Sequence, residues 1–128
     1  MSRFIGKLVL EALPDGKTWK LQHPFAYQSD RYKRTVRAAE DFECDFASIP
    51  RLFWQAIGPP ATGRYRRAAV IHDWMYCNHV QTLTRHAISR AEADGLFYEA
   101  MICDGVGWIN AWLIYKAVRL GGWVSWKE

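Results

Sequence analysis

Hydrophobic and polar positions alternate with a period of about two over the first third of the chain and switch to a period of about 3.6 after Gly63. Phe4-Ile5-Gly6-Lys7-Leu8-Val9-Leu10 predicts a strand that runs into a turn at Pro14-Asp15-Gly16-Lys17. Proline presets φ there and glycine accepts positive φ. Thr18-Trp19-Lys20-Leu21 predicts the returning strand, and Phe25-Ala26-Tyr27 and Thr35-Val36-Arg37 predict two more. Residues 45–63 are irregular and rich in breakers: Pro50, Gly58, Pro59, Pro60 and Gly63, with a short helix expected over 51–57. Helices are expected over 64–79, 89–103 and 107–120. Ser89 with Glu92 three residues later forms a capping box for the second. Gly121-Gly122 offers a C-cap for the third. The expected fold class is α+β, a small N-terminal antiparallel sheet followed by a three-helix C-terminal part. The expected organisation is a single domain over 1–128, with strands in 1–45, a loop region in 46–63 and helices in 64–128.

Composition adds that a core is affordable. The chain has 128 residues, half of them hydrophobic, with seven tryptophans. A chain of that size needs no disulfides to fold. Its three cysteines, Cys44, Cys77 and Cys103, are odd in number and lack a C-x-x-C spacing, which fits synthesis in a reducing host cytoplasm. The first ten residues hold no long apolar run, so neither a signal peptide nor a membrane span is expected in them. The net charge is +4. Arg31, Lys33, Arg34 and Arg37 cluster, as do Arg64, Arg66 and Arg67. Both groups could face phosphates or simply water. No expected helix carries a dense basic face, so nucleic acid is not an expected partner. Trp108, Trp112 and Tyr115 recur at helical spacing, as core or membrane-facing packing requires. Trp123 and Trp126, if exposed, point to a partner surface or a lipid interface.

The chemistry concentrates in Ile71-His72-Asp73-Trp74-Met75-Tyr76 and Ala91-Glu92-Ala93-Asp94. His72 and Tyr76 are four apart and share a helix face. The next helix is expected to run antiparallel, since the connection over 80–88 is short. Asp94 then lies within about 3 Å of the height of His72. An aspartate on one imidazole nitrogen fixes the tautomer and supports an imidazolium, leaving the other nitrogen to deprotonate water. Asp73 could hold a hard cation such as calcium, with carbonyls from Gly58–Gly63, or pair with Arg66 or Arg67. Asp45 is a further metal ligand or a helix cap. Ser48 is a supporting residue, and no Gly-x-Ser-x-Gly context marks it as a nucleophile. Cys77 and His79 match no common zinc spacing.

His-Asp-x-x-Tyr followed by Ala93-Asp94-Gly95-Leu96-Phe97 resembles the core of phospholipase A2-type enzymes. That resemblance covers residues 58–100 and implies His72 as general base, Asp94 as its partner, Asp73 as a calcium ligand and Tyr76 in the hydrogen-bond network. The chain departs from it in lacking flanking disulfide cysteines and in carrying two prolines in the loop before the helix. A longer resemblance spans Asp45-Phe46-Ala47-Ser48-Ile49-Pro50-Arg51, Gly63 to Tyr76 and Arg90 to Asp94. It is to an uncharacterised domain family typical of tailed phages and prophages.

Two functions follow as expectations. One is a phage-encoded hydrolase acting on lipid esters at a phospholipid membrane surface, with His72 in an open cleft. The other is a virion component, of tail or tail tip, bound to other virion proteins and using the His/Asp cluster as a structural staple.

Overall fold

Gly6 sits at φ +96°, a backbone conformation open to glycine and rare for other residues. In the computed structural model, which describes residues 2–46, 49, 65–78, 88–124 and 126, it ends the first strand early. Where one strand over 4–10 was expected there are two, β1 (Arg3–Ile5) and β2 (Leu10–Ala12), and they join different sheets. The remaining strands are β3 (Trp19–Leu21), β4 (Phe25–Ser29), β5 (Arg34–Ala38) and β6 (Glu43–Cys44). The first sheet has the order β1-β4-β5 and the second β2-β3-β6, all pairs antiparallel. The single sheet of the sequence reading is therefore two three-stranded ones. The turn after β2 forms as expected. Gly16 takes φ +78°, and Asp15 Oδ1 accepts from the amides of Lys17 and Thr18 at 3.0 and 2.8 Å.

Three α-helices follow among the described residues: α1 (Arg66–Asn78), α2 (Arg90–Cys103) and α3 (Trp108–Gly121). The helix expected over 51–57 lies outside the described residues. Ser89 caps α2 as its sequence demands, its Oγ accepting from the Glu92 amide at 3.1 Å. α1 and α2 run antiparallel. Near the start of α1, Arg67 donates to Asp104 Oδ1 at the end of α2 (2.7 Å from Nε), while His72 and Tyr76 farther along α1 meet Asp94 near the start of α2. α3 turns back along α2 in the same way. Tyr98 meets Tyr115 edge to face at 5.7 Å, and Arg90 donates to the carbonyls of Val118 and Arg119 at 3.1 and 3.3 Å. The Val118 carbonyl also accepts from the Gly122 amide, and a guanidinium suits the partial negative charge at this end of the helix.

α1 is the central element. All nine residues from Ala68 to Tyr76 are buried, because Ala68, Ala69, Val70, Ile71, Trp74, Met75 and Tyr76 occupy every side of its helical wheel. One continuous core joins it to Phe25, Tyr27, Val36 and Ala38 of the first sheet, Leu21 and Cys44 of the second, and Leu96, Phe97, Ile114 and Val118 of the other helices. On the first sheet, Glu99 of α2 accepts from the Tyr27 hydroxyl at 2.5 Å and from Ser2 Oγ at 3.1 Å.

Gly122 ends α3, but not in the way a C-cap glycine usually does. Its φ is −67°, and the chain continues into a single 3-10 turn over Gly122–Val124. The glycine is needed for space: a Cβ there would run into the hydroxyl of the buried Tyr76. Gly122→Ala is therefore expected to destabilise the protein by about 1–3 kcal/mol through overpacking. Combined with Tyr76→Phe, which removes the nearest atom, it should fall short of additivity. A double-mutant cycle by urea unfolding measures this, and additive effects would show that the two residues do not press on each other.

Candidate functional site

Two residues of α1, one turn apart, aim at the same carboxylate. His72 Nε2 lies 2.8 Å from Asp94 Oδ1, and the Tyr76 hydroxyl donates to that same oxygen at 2.6 Å. Asp94 Oδ2 accepts from Arg119 Nη1 at 2.8 Å and has Arg90 Nη1 at 3.5 Å. Three helices thus converge on one side chain. The His72–Asp94 pair expected from spacing is formed, and Tyr76, which the phospholipase A2-type resemblance put in the network, joins it. Arg90 and Arg119 are additions that sequence reasoning missed. A signal existed for Arg90, which precedes Asp94 by four residues on one helix; Arg119 reaches Asp94 from the last turn of α3, a tertiary relation.

Burial works against an ionised Asp94. The hydrogen bonds from His72, Tyr76 and Arg119 more than offset it, and the carboxyl is held below its ordinary value of 3.8. An ionised carboxylate only accepts, so His72 Nε2 carries the proton in this contact. The guanidinium groups of Arg119 and Arg90 supply counter-charge to the same carboxylate. The imidazole is stacked against Phe97 at 4.2 Å and tilted against Tyr76 at 4.3 Å. Burial, and then the bond to Asp94, raise the Tyr76 hydroxyl above the usual phenol range.

Access separates this cluster from an open catalytic cleft. His72 and Asp94 are each 0% exposed, and Asp73 is 3% exposed. Asp73 points into a different neighbourhood. Burial pushes the Cys44 thiol up, and the carboxylates of Asp73 and Asp45 add to that shift. Asp73 and Asp45 therefore share surroundings, as a joint ligand role requires. Among the described residues, however, no group of three or more His, Cys, Asp or Glu side chains is placed to hold a metal ion. The Gly58–Gly63 loop, Ser48 and His79 lie outside the described residues. Arg67, one of the two arginines considered for Asp73, is bound to Asp104. Phe46, in the loop that carries Asp45, is held at φ +59° with its ring 1% exposed. Burial of that ring offsets a conformation unfavourable for a bulky residue.

The Asp94 network has a definite pH signature. Its folded-state pKa is lowered, so the stability it contributes is complete above the ordinary carboxylate range and is lost as pH falls through the depressed value. Wild-type stability should therefore decline on acidification below about pH 4. Asp94→Asn should lose about 3–5 kcal/mol at neutral pH, since a buried charge cluster loses its centre, and its acid limb should be flatter. Urea unfolding across pH measures both, and an unchanged acid limb in the variant would remove Asp94 as its source.

Residues 19–118 match the family described as protein of unknown function DUF1353. The chain is 38% identical over 83 residues to Uncharacterized protein y4iH of Sinorhizobium fredii (strain NBRC 101917 / NGR234), a stretch covering 65% of this chain and 32% of the relative. It is 42% identical over 79 residues to Uncharacterized protein y4jT of the same strain, covering 61% of this chain and 21% of that relative. The matched stretches thus span a third or less of these longer proteins. No solved structure matches the chain. The family match takes in His72, Tyr76, Arg90 and Asp94, and the chain belongs to the DUF1353 family of proteins of unknown function.

Proposed function

We propose that this chain is a non-catalytic assembly domain of a tailed-phage particle, a tail or tail-tip component, in which the His72–Asp94 network fastens three helices. The observation that carries this reading is the 0% exposure of both residues. A general base must reach the proton it removes, directly or through one water. The imidazole is instead enclosed by Phe97 and Tyr76, with Nε2 committed to Asp94. The phage assignment is supported by the resemblance carried by the Asp45–Arg51, Gly63–Tyr76 and Arg90–Asp94 segments. The matched stretches of the relatives are a third and a fifth of longer chains, which suits a domain used as a building block. In this reading the protein is made in the host cytoplasm and incorporated into the virion beside other virion proteins.

A second reading is favoured by one observation. The His/Asp pair implied by the phospholipase A2-type resemblance is formed, with Tyr76 joined to it. In that reading His72 activates water for attack on a lipid ester. The Asp73/Asp45 neighbourhood would then supply any calcium.

His72→Gln separates the two. The glutamine amide can place a donor near the position of Nε2 but cannot act as a base. As an assembly domain, the variant should stay within about 1 kcal/mol of wild type, since one hydrogen bond is exchanged for another. It should also appear in purified particles in the same stoichiometric copy number, read by mass spectrometry. Neither protein should hydrolyse phosphatidylcholine vesicles. Hydrolysis by wild type that disappears in a folded His72→Gln variant would sink the assembly reading and establish the hydrolase.

A further inference from the structure

α3 is packed with its larger apolar side chains outward. Toward the core it turns Ala111, Ile114, Ala117 and Val118. Toward solvent it turns Trp108 (68% exposed), Ile109 (58%), Trp112 (46%), Leu113 (43%) and Leu120 (80%), and Trp123 just beyond it is 66% exposed. At about 100° per residue, the outward residues on the helix fill one unbroken arc of about 140°. It is about 18 Å long. Isolated apolar residues on a surface need no explanation, but a continuous stripe with three tryptophans does.

Charge decides between occupants. The helix Trp-Ile-Asn-Ala-Trp-Leu-Ile-Tyr-Lys-Ala-Val-Arg-Leu-Gly holds two cations and no carboxylate. Arg119 is committed to Asp94. Lys116 lies within the exposed arc, its Nζ 5.5 Å from the Trp112 ring centre. A groove beside the stripe, lined by Trp112, Tyr98, Tyr115 and Tyr32, adds Arg31. Pairing two copies of this face would bring two Lys116 ammonium groups into one apolar interface with no carboxylate on either helix to answer them. A lipid surface with anionic headgroups avoids that conflict. Apolar side chains enter the acyl boundary and indoles sit at headgroup level. Lys116 extends its stem along the apolar surface to reach phosphates. Among the described residues no helix is long and apolar enough to cross a membrane, which suits a helix that lies along one.

We infer that the outward face of α3, with Trp108, Trp112, Leu120 and Trp123 as its apolar anchors and Lys116 as its cation, docks on an anionic phospholipid surface. The proposal does not depend on whether His72 is catalytic.

The full chain is tested by co-sedimentation with vesicles of phosphatidylcholine plus phosphatidylserine, and with pure phosphatidylcholine, at low and high salt. Binding is expected to the mixed vesicles, with a blue shift of tryptophan emission, and should weaken at least several-fold with salt or without the anionic lipid. Trp108→Ser combined with Trp112→Ser should lower binding by at least tenfold. Lys116→Glu should lower it several-fold and abolish the preference for anionic lipid. Both variants alter exposed positions and should melt as wild type does. Lys17→Glu, in the exposed turn far along the sequence, should bind as wild type. No binding by wild type, or unchanged binding by both folded variants, overturns the proposal. A wild-type dimer in sedimentation that the tryptophan variant dissociates also overturns it, since the occupant is then a second copy.

Discussion

A carboxylate with no access to water must be surrounded by donors, and Asp94 imposes that constraint on the helical half of the protein. Its two oxygens accept from His72, Tyr76 and Arg119, with Arg90 close by. The donors come from α1, α2 and α3, so satisfying the carboxylate fixes the mutual heights of all three helices. Charge is settled at the same point. Two guanidinium groups face one carboxylate, and the flat imidazole of His72 fills the remaining donor position, its ring suiting the slot between Phe97 and Tyr76.

Much of this hub is legible in the sequence. Spacing places His72 and Tyr76 on one face, a short connection makes the next helix antiparallel, and the Ser89–Glu92 box marks where that helix starts. Together these put Asp94 opposite His72. The arginines are harder to read because their role is tertiary. Nothing local distinguishes Arg119 from a solvated residue in the last turn of a helix. Glu99 was missed for the same reason: its partners, Ser2 and Tyr27, lie about a hundred and about seventy residues earlier in the chain. Gly6 was missed because its flanking residues read as strand on both sides, and only a positive φ divides them.

The burial of the helix that carries His72 was also legible in the sequence. Ala68 to Ile71 and Trp74 to Tyr76 are apolar on every side of a helical wheel, and a helix with that pattern belongs in the middle of a fold. His72 and Asp73 are polar residues inside it, and all nine positions from Ala68 to Tyr76 are buried. A polar residue within an all-round apolar helix is therefore read first as a partner in a buried network.

The same network bears on the outer face of α3. Three separate ties hold the C-terminal end of that helix. Arg119 bonds Asp94, Arg90 binds the last carbonyls, and Gly122 lets the chain close over Tyr76. Apolar packing through Ala111, Ile114, Ala117 and Val118 sets which face of α3 turns inward. The polar ties discriminate sharply between registers. Sliding α3 by one turn would withdraw Arg119 from Asp94, weaken the neutralisation of a buried carboxylate and drive the backbone at Gly122 away from Tyr76. The buried charge cluster makes such a slide costly, and the apolar face of α3 keeps its outward position.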